Sequence, residues 1–293
     1  MKKKIIPNLL AVADLHQIML GSIAPRPIAF VSTIDSKGNQ NLAPYSFFNA
    51  FSSNPPILVF SSNRRVDGNT TKDTLHNIQE SMECVINVVN HSIVRQMMLC
   101  SVDFPHEMSE FKASGLTPTK ASMVSAPLVK ESPVSFECKV KEIITLGENG
   151  GAGHLIICHV ECIHLEEDVL DENGRIDPHK IDLMGRMGRA FYVRASGDAV
   201  FAMPQTQTLP VVTYPNLPEH VRKSDILSAN DIGYLAGLKY WPNLEEAHNE
   251  AMKIEEYSKL TAQERTIGKL HKMAKQYFLR QEFDKATVLL ASI

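Results

Sequence analysis

Short apolar, β-branched runs recur through the first two thirds of the chain, and the pattern changes abruptly near residue 200. Pro27-Ile-Ala-Phe-Val-Ser-Thr33 reads as a strand that stops at Asp35-Ser-Lys-Gly38, where aspartate and glycine supply turn chemistry. Ile57 to Ser61, behind Pro55-Pro56, and Cys84 to Val89 have the same length and composition. Val134 to Leu146 and His154 to Leu165 are longer, and the glycine-rich stretch from Gly147 to Gly153 predicts a hairpin between them. Two short helices interrupt the strands. Thr71 to Glu80 opens on threonines suited to capping and sets Leu75 and Ile78 on one face, and Ser92 to Cys100 carries Ile93, Met97 and Met98. Many strands with few helices favour a barrel or sandwich over a doubly wound sheet.

A proline-rich stretch from Met203-Pro204 through Leu209-Pro210 to Leu217-Pro218 then marks a linker. Beyond it the periodicity is helical. Ile267, Leu270, Ala274, Tyr277, Phe278 and Gln281 recur at steps of three and four, which describes an amphipathic helix. Core packing is the first reading of that stripe and dimerisation the alternative. The division expected is residues 1–199 and a helical extension, 200–293.

Composition narrows the class. The 293 residues are 44% hydrophobic and 22% charged, which excludes a disordered or collagen-like chain, and a net charge of -3 removes the usual reason to expect nucleic acid or an anionic membrane as partner. Pro7 and Asn8 interrupt the apolar run behind Lys2, Lys3 and Lys4 before a signal peptide can form, and no apolar stretch approaches membrane-spanning length. Five scattered cysteines in mostly apolar runs read as buried thiols. A cytoplasmic location is expected.

The motifs carry more. Pro25-Arg-Pro-Ile-Ala-Phe-Val-Ser-Thr33 is followed by Gly38, by Asn41-Leu-Ala-Pro-Tyr-Ser-Phe-Phe-Asn49 and by Ser53-Asn-Pro-Pro56. Arg64-Arg65, Lys72-Asp-Thr74 with Asn77, Glu110-Phe111, Glu137-Cys-Lys139, Gly153-His154 and Gly185-Arg-Met-Gly-Arg-Ala-Phe-Tyr192 come next in order. This succession closely resembles the flavin reductase-like family, FMN-binding split barrels that include flavoredoxin and the reductase components of two-component monooxygenases. The resemblance runs from about residue 8 to residue 195. It implies a mainly β fold, a six-stranded antiparallel Greek-key split barrel with short helices, here with a C-terminal α-helical extension. It also implies non-covalent FMN, NAD(P)H as a transient co-substrate, and a homodimer, because relatives build the flavin pocket at a subunit interface.

FMN presents a dianionic phosphate, a polyol chain and a flat ring, so its site needs cations or bare amides, hydroxyl partners and an apolar wall. Lys72, Asp73 and Thr74 open a predicted helix, where unpaired N–H groups favour a phosphate, and Lys72 with Arg64 or Arg65 would neutralise it. Asp73 suits a cap better than a phosphate contact. By resemblance, Thr33, Asn41, Ala43, Ser46, Ser61 and Asn77 are flavin contacts, Phe47 rather than Phe48 forms the wall, and Arg26 and Arg189 are further cofactor-binding candidates. Flanking prolines fix the backbone of Arg26, and a solvated arginine is the alternative there. His154 is the candidate catalytic residue, near the flavin or the nicotinamide.

Along the strand at His154, residues His154, Cys158, Cys162 and His164 share one face. Same-face strand neighbours lie about 7 Å apart, so four from one strand cannot converge on one ion, and no metal is expected. No Gly-x-Gly-x-x-Gly follows a strand, so no Rossmann site is indicated. The function implied is hydride transfer from NAD(P)H to flavin, with free flavin or a redox protein as acceptor. A flavoredoxin-like electron carrier and a non-catalytic flavin-binding module are the alternatives.

Overall fold

The computed structural model describes residues 2–105, 108–203 and 211–293. The core of the expected linker, 204–210, lies outside the described residues. The chain divides into two compact units, Met1–Phe201 and Ala202–Ile293.

In the first unit the strands are β1 (Ala29–Ile34), β2 (Gln40–Tyr45), β3 (Phe48–Ser53), β4 (Pro56–Asn63), β5 (Glu83–Val88), β6 (Pro118–Thr119), β7 (Leu128–Val129), β8 (Val134–Thr145), β9 (Gly153–Leu165), β10 (Met184–Arg186) and β11 (Tyr192–Arg194). The helices are α1 (Val12–Ser22), α2 (Asp73–Ser81), α3 (Val94–Leu99), α4 (Glu110–Ser114) and α5 (Pro178–Ile181). Seven strands form one sheet in the order β2-β1-β5-β8-β9-β4-β3, and every neighbouring pair is antiparallel.

That order forces the sheet to curl. Its two edges, β2 and β3, would stand about 29 Å apart if the seven strands lay flat at about 4.8 Å spacing. Yet only Ser46 and Phe47 join them, a step of at most about 11 Å. Ser61 N–H also donates to the Phe47 carbonyl at 2.8 Å, tying the joint to β4. The six strands expected are therefore seven. The motif from Asn41 to Asn49 bends at Ser46-Phe47 and gives a strand to each edge of the sheet.

β1 is buried on both faces, which is why Ala29-Phe-Val31 is apolar without alternation and why Ser32 and Thr33, next along the strand, are buried polar groups. Ala29 and Val31 face a core with Phe60, Ile86 and Ile156, closed by Leu75 and Ile78 of α2. Ile28 and Phe30 face the opposite way, against Met97 and Phe111 near α3 and α4. Phe48, the first residue of β3, packs on the first of these cores.

The second unit holds α6 (Glu219–Arg222), α7 (Ala229–Ala236), α8 (Leu244–Ala251), α9 (Glu255–Ser258), α10 (Ile267–Leu279) and α11 (Phe283–Ala291). Leu270, Ala274, Tyr277 and Phe278 of α10 close a core of the unit's own with Val221, Leu235, Tyr257, Leu289 and Leu290. These four positions of the stripe are core packing, whereas Ile267 at its start is exposed and Gln281 lies beyond the end of the helix. Ser228 and Asp231 form a capping box on α7, and Asn243 and Thr266 cap α8 and α10. Among the described residues no helix is long and apolar enough to cross a membrane.

Candidate functional site

Polar side chains from β1, β2 and α2 meet at one end of the barrel. Thr33 Oγ1 accepts from Asn77 Nδ2 at 3.0 Å and from Asn41 Nδ2 at 3.4 Å, and the same Asn41 amide donates to Thr74 Oγ1 at 2.8 Å. Thr33, Thr74 and Asn77 are buried and Asn41 is half-buried. Four of the residues expected at the site thus form one network, because register pairs Thr33 with Asn41 and α2 is laid across that pair.

Lys72 is the N-cap of α2, and no side chain caps the helix. The capping threonine expected is otherwise engaged, since Thr71 Oγ1 pairs with His76 Nε2. Asp73 sits one residue inside as the acidic residue of the first turn, not as the cap. Lys72 Nζ lies 5.0 Å from the centre of the Tyr45 ring. Burial, and then the charge of Arg65, lowers the Lys72 pKa from its ordinary value. The Tyr45 phenol, fully enclosed, is pushed up to about 12 by burial. Its hydroxyl and that of Ser62 are buried with no hydrogen-bond partner, although each has polar neighbours. Sequence reading did not single out Tyr45 or Ser62. The only signal was their place inside the quoted motif and beside Ser61.

The two arginines brace the loop before α2. Arg64 donates to the side chain and carbonyl of Asn69, while Arg65 donates to Thr70 and Thr71 and pairs with Asp103. Arg65 is the one whose charge is felt at both Lys72 and Tyr45.

Ser61 and His154 come from β4 and β9. Ser61 Oγ donates to Asn63 Oδ1 at 2.8 Å, and a Cβ on Gly153 would sit 2.5 Å from that hydroxyl oxygen, so a larger residue before His154 would displace the Ser61 hydroxyl. The buried His154 ring contacts the Ser62 carbonyl through Nδ1 at 3.1 Å. A carbonyl only accepts, so Nδ1 carries the proton and Nε2 of the neutral ring is the acceptor.

Arg26 is not a solvated side chain. It is 5% exposed, and its guanidinium donates to the carbonyls of Leu20 at 2.7 Å, Ile23 and Met187, the last at 3.0 Å, and to Ser46 Oγ at 3.4 Å. It therefore fastens the C-terminal end of α1 and the segment after β10 to the joint between β2 and β3. Phe47 stands at this joint, half-buried, edge-on to His16 of α1 at 6.2 Å. Ala43, half-buried on β2, packs on the barrel core. Arg189 is exposed with φ 55, in the turn between β10 and β11. Neither it nor Arg26 joins the network at α2.

The comparisons with known proteins agree with this architecture. A family model for the flavin reductase like domain matches residues 20–181, more than half of the chain, and the chain belongs to that family. An uncharacterized protein of Aquifex aeolicus (strain VF5) is 39% identical over 184 residues, 63% of this chain and 91% of the relative. Among solved structures, nitrilotriacetate monooxygenase component B from Bacillus cereus is 32% identical with a TM-score of 0.64, covering 69% of this chain and 99% of that one. A flavin reductase with a split barrel domain from Shewanella frigidimarina NCIMB 400 is 28% identical with a TM-score of 0.58, covering 68% and 96%. The likenesses support a split barrel with a flavin cofactor and oxidoreductase chemistry.

Proposed function

We propose that this chain is a flavin reductase that holds FMN non-covalently and receives hydride from NAD(P)H. The observation that carries the reading is the network of Thr33, Asn41, Thr74 and Asn77 beside the uncapped N-terminus of α2, with Lys72 at the cap position. A helix N-terminus with an adjacent lysine is suited to a phosphate. The cofactor fits the residues present: burial disfavours the charge of Lys72, so the lysine gains from a dianion beside it, and the hydroxyls of Tyr45 and Ser62, polar neighbours of each other and, for Tyr45, of Thr74, make no hydrogen bond of ordinary geometry.

When bound, the flavin supplies a ring able to accept hydride. In this reading Lys72 and Arg65 neutralise the phosphate, while Asn41, Thr74 and Asn77 orient hydroxyl partners. Phe47, Ala43 and Ser46 line the approach of the ring, and Arg26 fixes the joint that carries them. His154, with Nδ1 committed to Ser62, is held in one tautomer with Nε2 as the acceptor near the nicotinamide. A second copy of the chain completes the pocket, in keeping with the exposed apolar side chains of α1 and with Phe51 and Phe191. The electron acceptor is free flavin or a redox protein.

The test is a visible spectrum of the purified protein under anaerobic conditions, before and after NADH or NADPH. Retained flavin that bleaches with either nucleotide supports the proposal. Flavin bleached by a reduced ferredoxin but not by NAD(P)H would assign an electron carrier instead, and flavin that no reductant bleaches in place would leave a binding module.

A further inference from the structure

The long β8–β9 hairpin carries a polar cluster that the flavin site does not use. Register places Glu137 opposite Cys162 and Ser135 opposite His164, so Glu137, Cys162 and His164 project from one face of the sheet. Beyond this point the register slips by one residue, because Cys138 pairs with Val160 and Glu161 is extra. His164 Nε2 lies 2.5 Å from Glu137 Oε1 and 3.7 Å from Cys162 Sγ, and one ligand atom from each residue falls within 4.8 Å of the others. Four ligands from one strand cannot converge on an ion. Two from one strand and one from its neighbour do.

We propose that Glu137, Cys162 and His164 bind a divalent transition metal of the zinc class, with water in the fourth position. A carboxylate oxygen, an imidazole nitrogen and a thiolate are the donor types zinc takes, and three protein ligands leave an open site. Tetrahedral bonds of about 2.0 to 2.3 Å put the sulfur and nitrogen about 3.6 Å apart and the oxygen and nitrogen about 3.4 Å apart. The first matches the spacing present, and the second requires His164 to withdraw from Glu137 by about 0.9 Å.

The carboxylate is built for the role. Glu137 is fully buried, and its oxygens accept from the backbone N–H groups of Ser122, Met123 and Val124 as well as from His164. Burial opposes its charge, but these donors outweigh burial and hold the carboxyl below its ordinary pKa. An ion would replace only the His164 contact, leaving the three backbone bonds that orient Glu137 intact. The step balances simply: the Cys162 thiol loses one proton to solvent as the sulfur–metal bond forms, and the proton of the neutral His164 ring moves from Nε2 to Nδ1.

Wild-type protein decides the matter, because Cys162 is the one cysteine of the five that is not buried. Its reaction with a disulfide reagent should slow at least about ten-fold in saturating Zn2+. Titration with Co2+ should give a thiolate-to-cobalt absorption band saturating at one equivalent per chain, with affinity rising about ten-fold per pH unit as one proton is released. Cys162→Ser should abolish the band and His164→Ala weaken binding at least about ten-fold, with circular dichroism reporting the fold of each. Labelling indifferent to Zn2+, cobalt bound below one equivalent without the thiolate band, or a band that survives Cys162→Ser would each overturn the proposal.

Discussion

The barrel and the helical unit bury their polar groups in different proportions. Twelve of the fifteen buried polar or charged side chains among the described residues lie in the barrel, and only Asp231, His271 and Thr287 lie in the helical unit. Burying a polar group costs free energy unless its hydrogen bonds are replaced, so a fold keeps such groups where shape or chemistry requires them. In the barrel they include groups where strands and helix meet at α2, at the β2–β3 joint, on the β8–β9 hairpin, and around Asn87 of β5, whose amide donates to the Phe30 carbonyl and accepts from Val129 N–H and Ser135 Oγ. In the helical unit the work is done by an apolar core and by caps at helix ends. The family match lies within the first unit, and the second closes an apolar core of its own.

The contrast can be broken in several places. The largest effect is expected from Leu235→Ala in the helical core, where a fully buried leucine is lost at about 3 to 4 kcal/mol. Denaturant unfolding followed by helix content should show an earlier transition while flavin absorption holds to its original midpoint. Loss of both signals together would mean that the two units do not unfold independently. Arg26→Ala should cost the barrel about 3 kcal/mol, because three carbonyls lose a charged donor, and here the flavin signal should fall first.

Smaller effects separate binding from stability. Lys72→Met should raise the FMN dissociation constant about ten-fold, about 1.4 kcal/mol, with little change in the unfolding midpoint, as fluorescence titration would show. The pH dependence has a definite sign. The Lys72 pKa is lowered in the folded protein without ligand, and a dianion beside it raises that value again, so cofactor binding takes up a proton. FMN affinity should therefore be greatest below the lowered Lys72 pKa and decline as pH rises through it. Tyr45, at about 12, does not titrate in that window. Lys72→Met should flatten the profile, and a slope that persists in that variant would assign the proton elsewhere.

What could be read from the chain follows the range of the forces involved. The β8 and β9 strands, α2 and the α10 stripe were legible because period and turn chemistry are local. α1 was not, for none of its residues is buried and its apolar positions do not mark an inward face. β3 was equally silent, an edge strand whose residues are nearly all exposed. Thr33, Asn41, Thr74 and Asn77 were named from motifs, but that they form a single network depends on α2 lying across the β1–β2 pair. The task given to Arg26 depends on Met187, 161 residues away, and no local pattern reports it. Glu137 stood in a quoted motif, yet its nearness to Cys162 and His164 follows from strand register.

The fastening of α1 has a consequence for how the molecule opens. With no buried residue, this helix is held at its C-terminal end chiefly through carbonyls that Arg26 engages, so its detachment exposes little new apolar surface. The amide protons of α1 should exchange with solvent deuterium far sooner than those of β1, whose residues are nearly all enclosed. A second protein copy, or any surface that covers Val12, Ile18 and Met19, would slow that exchange, so the lifetime of α1 amide protons is a gauge of whether this helix stands alone.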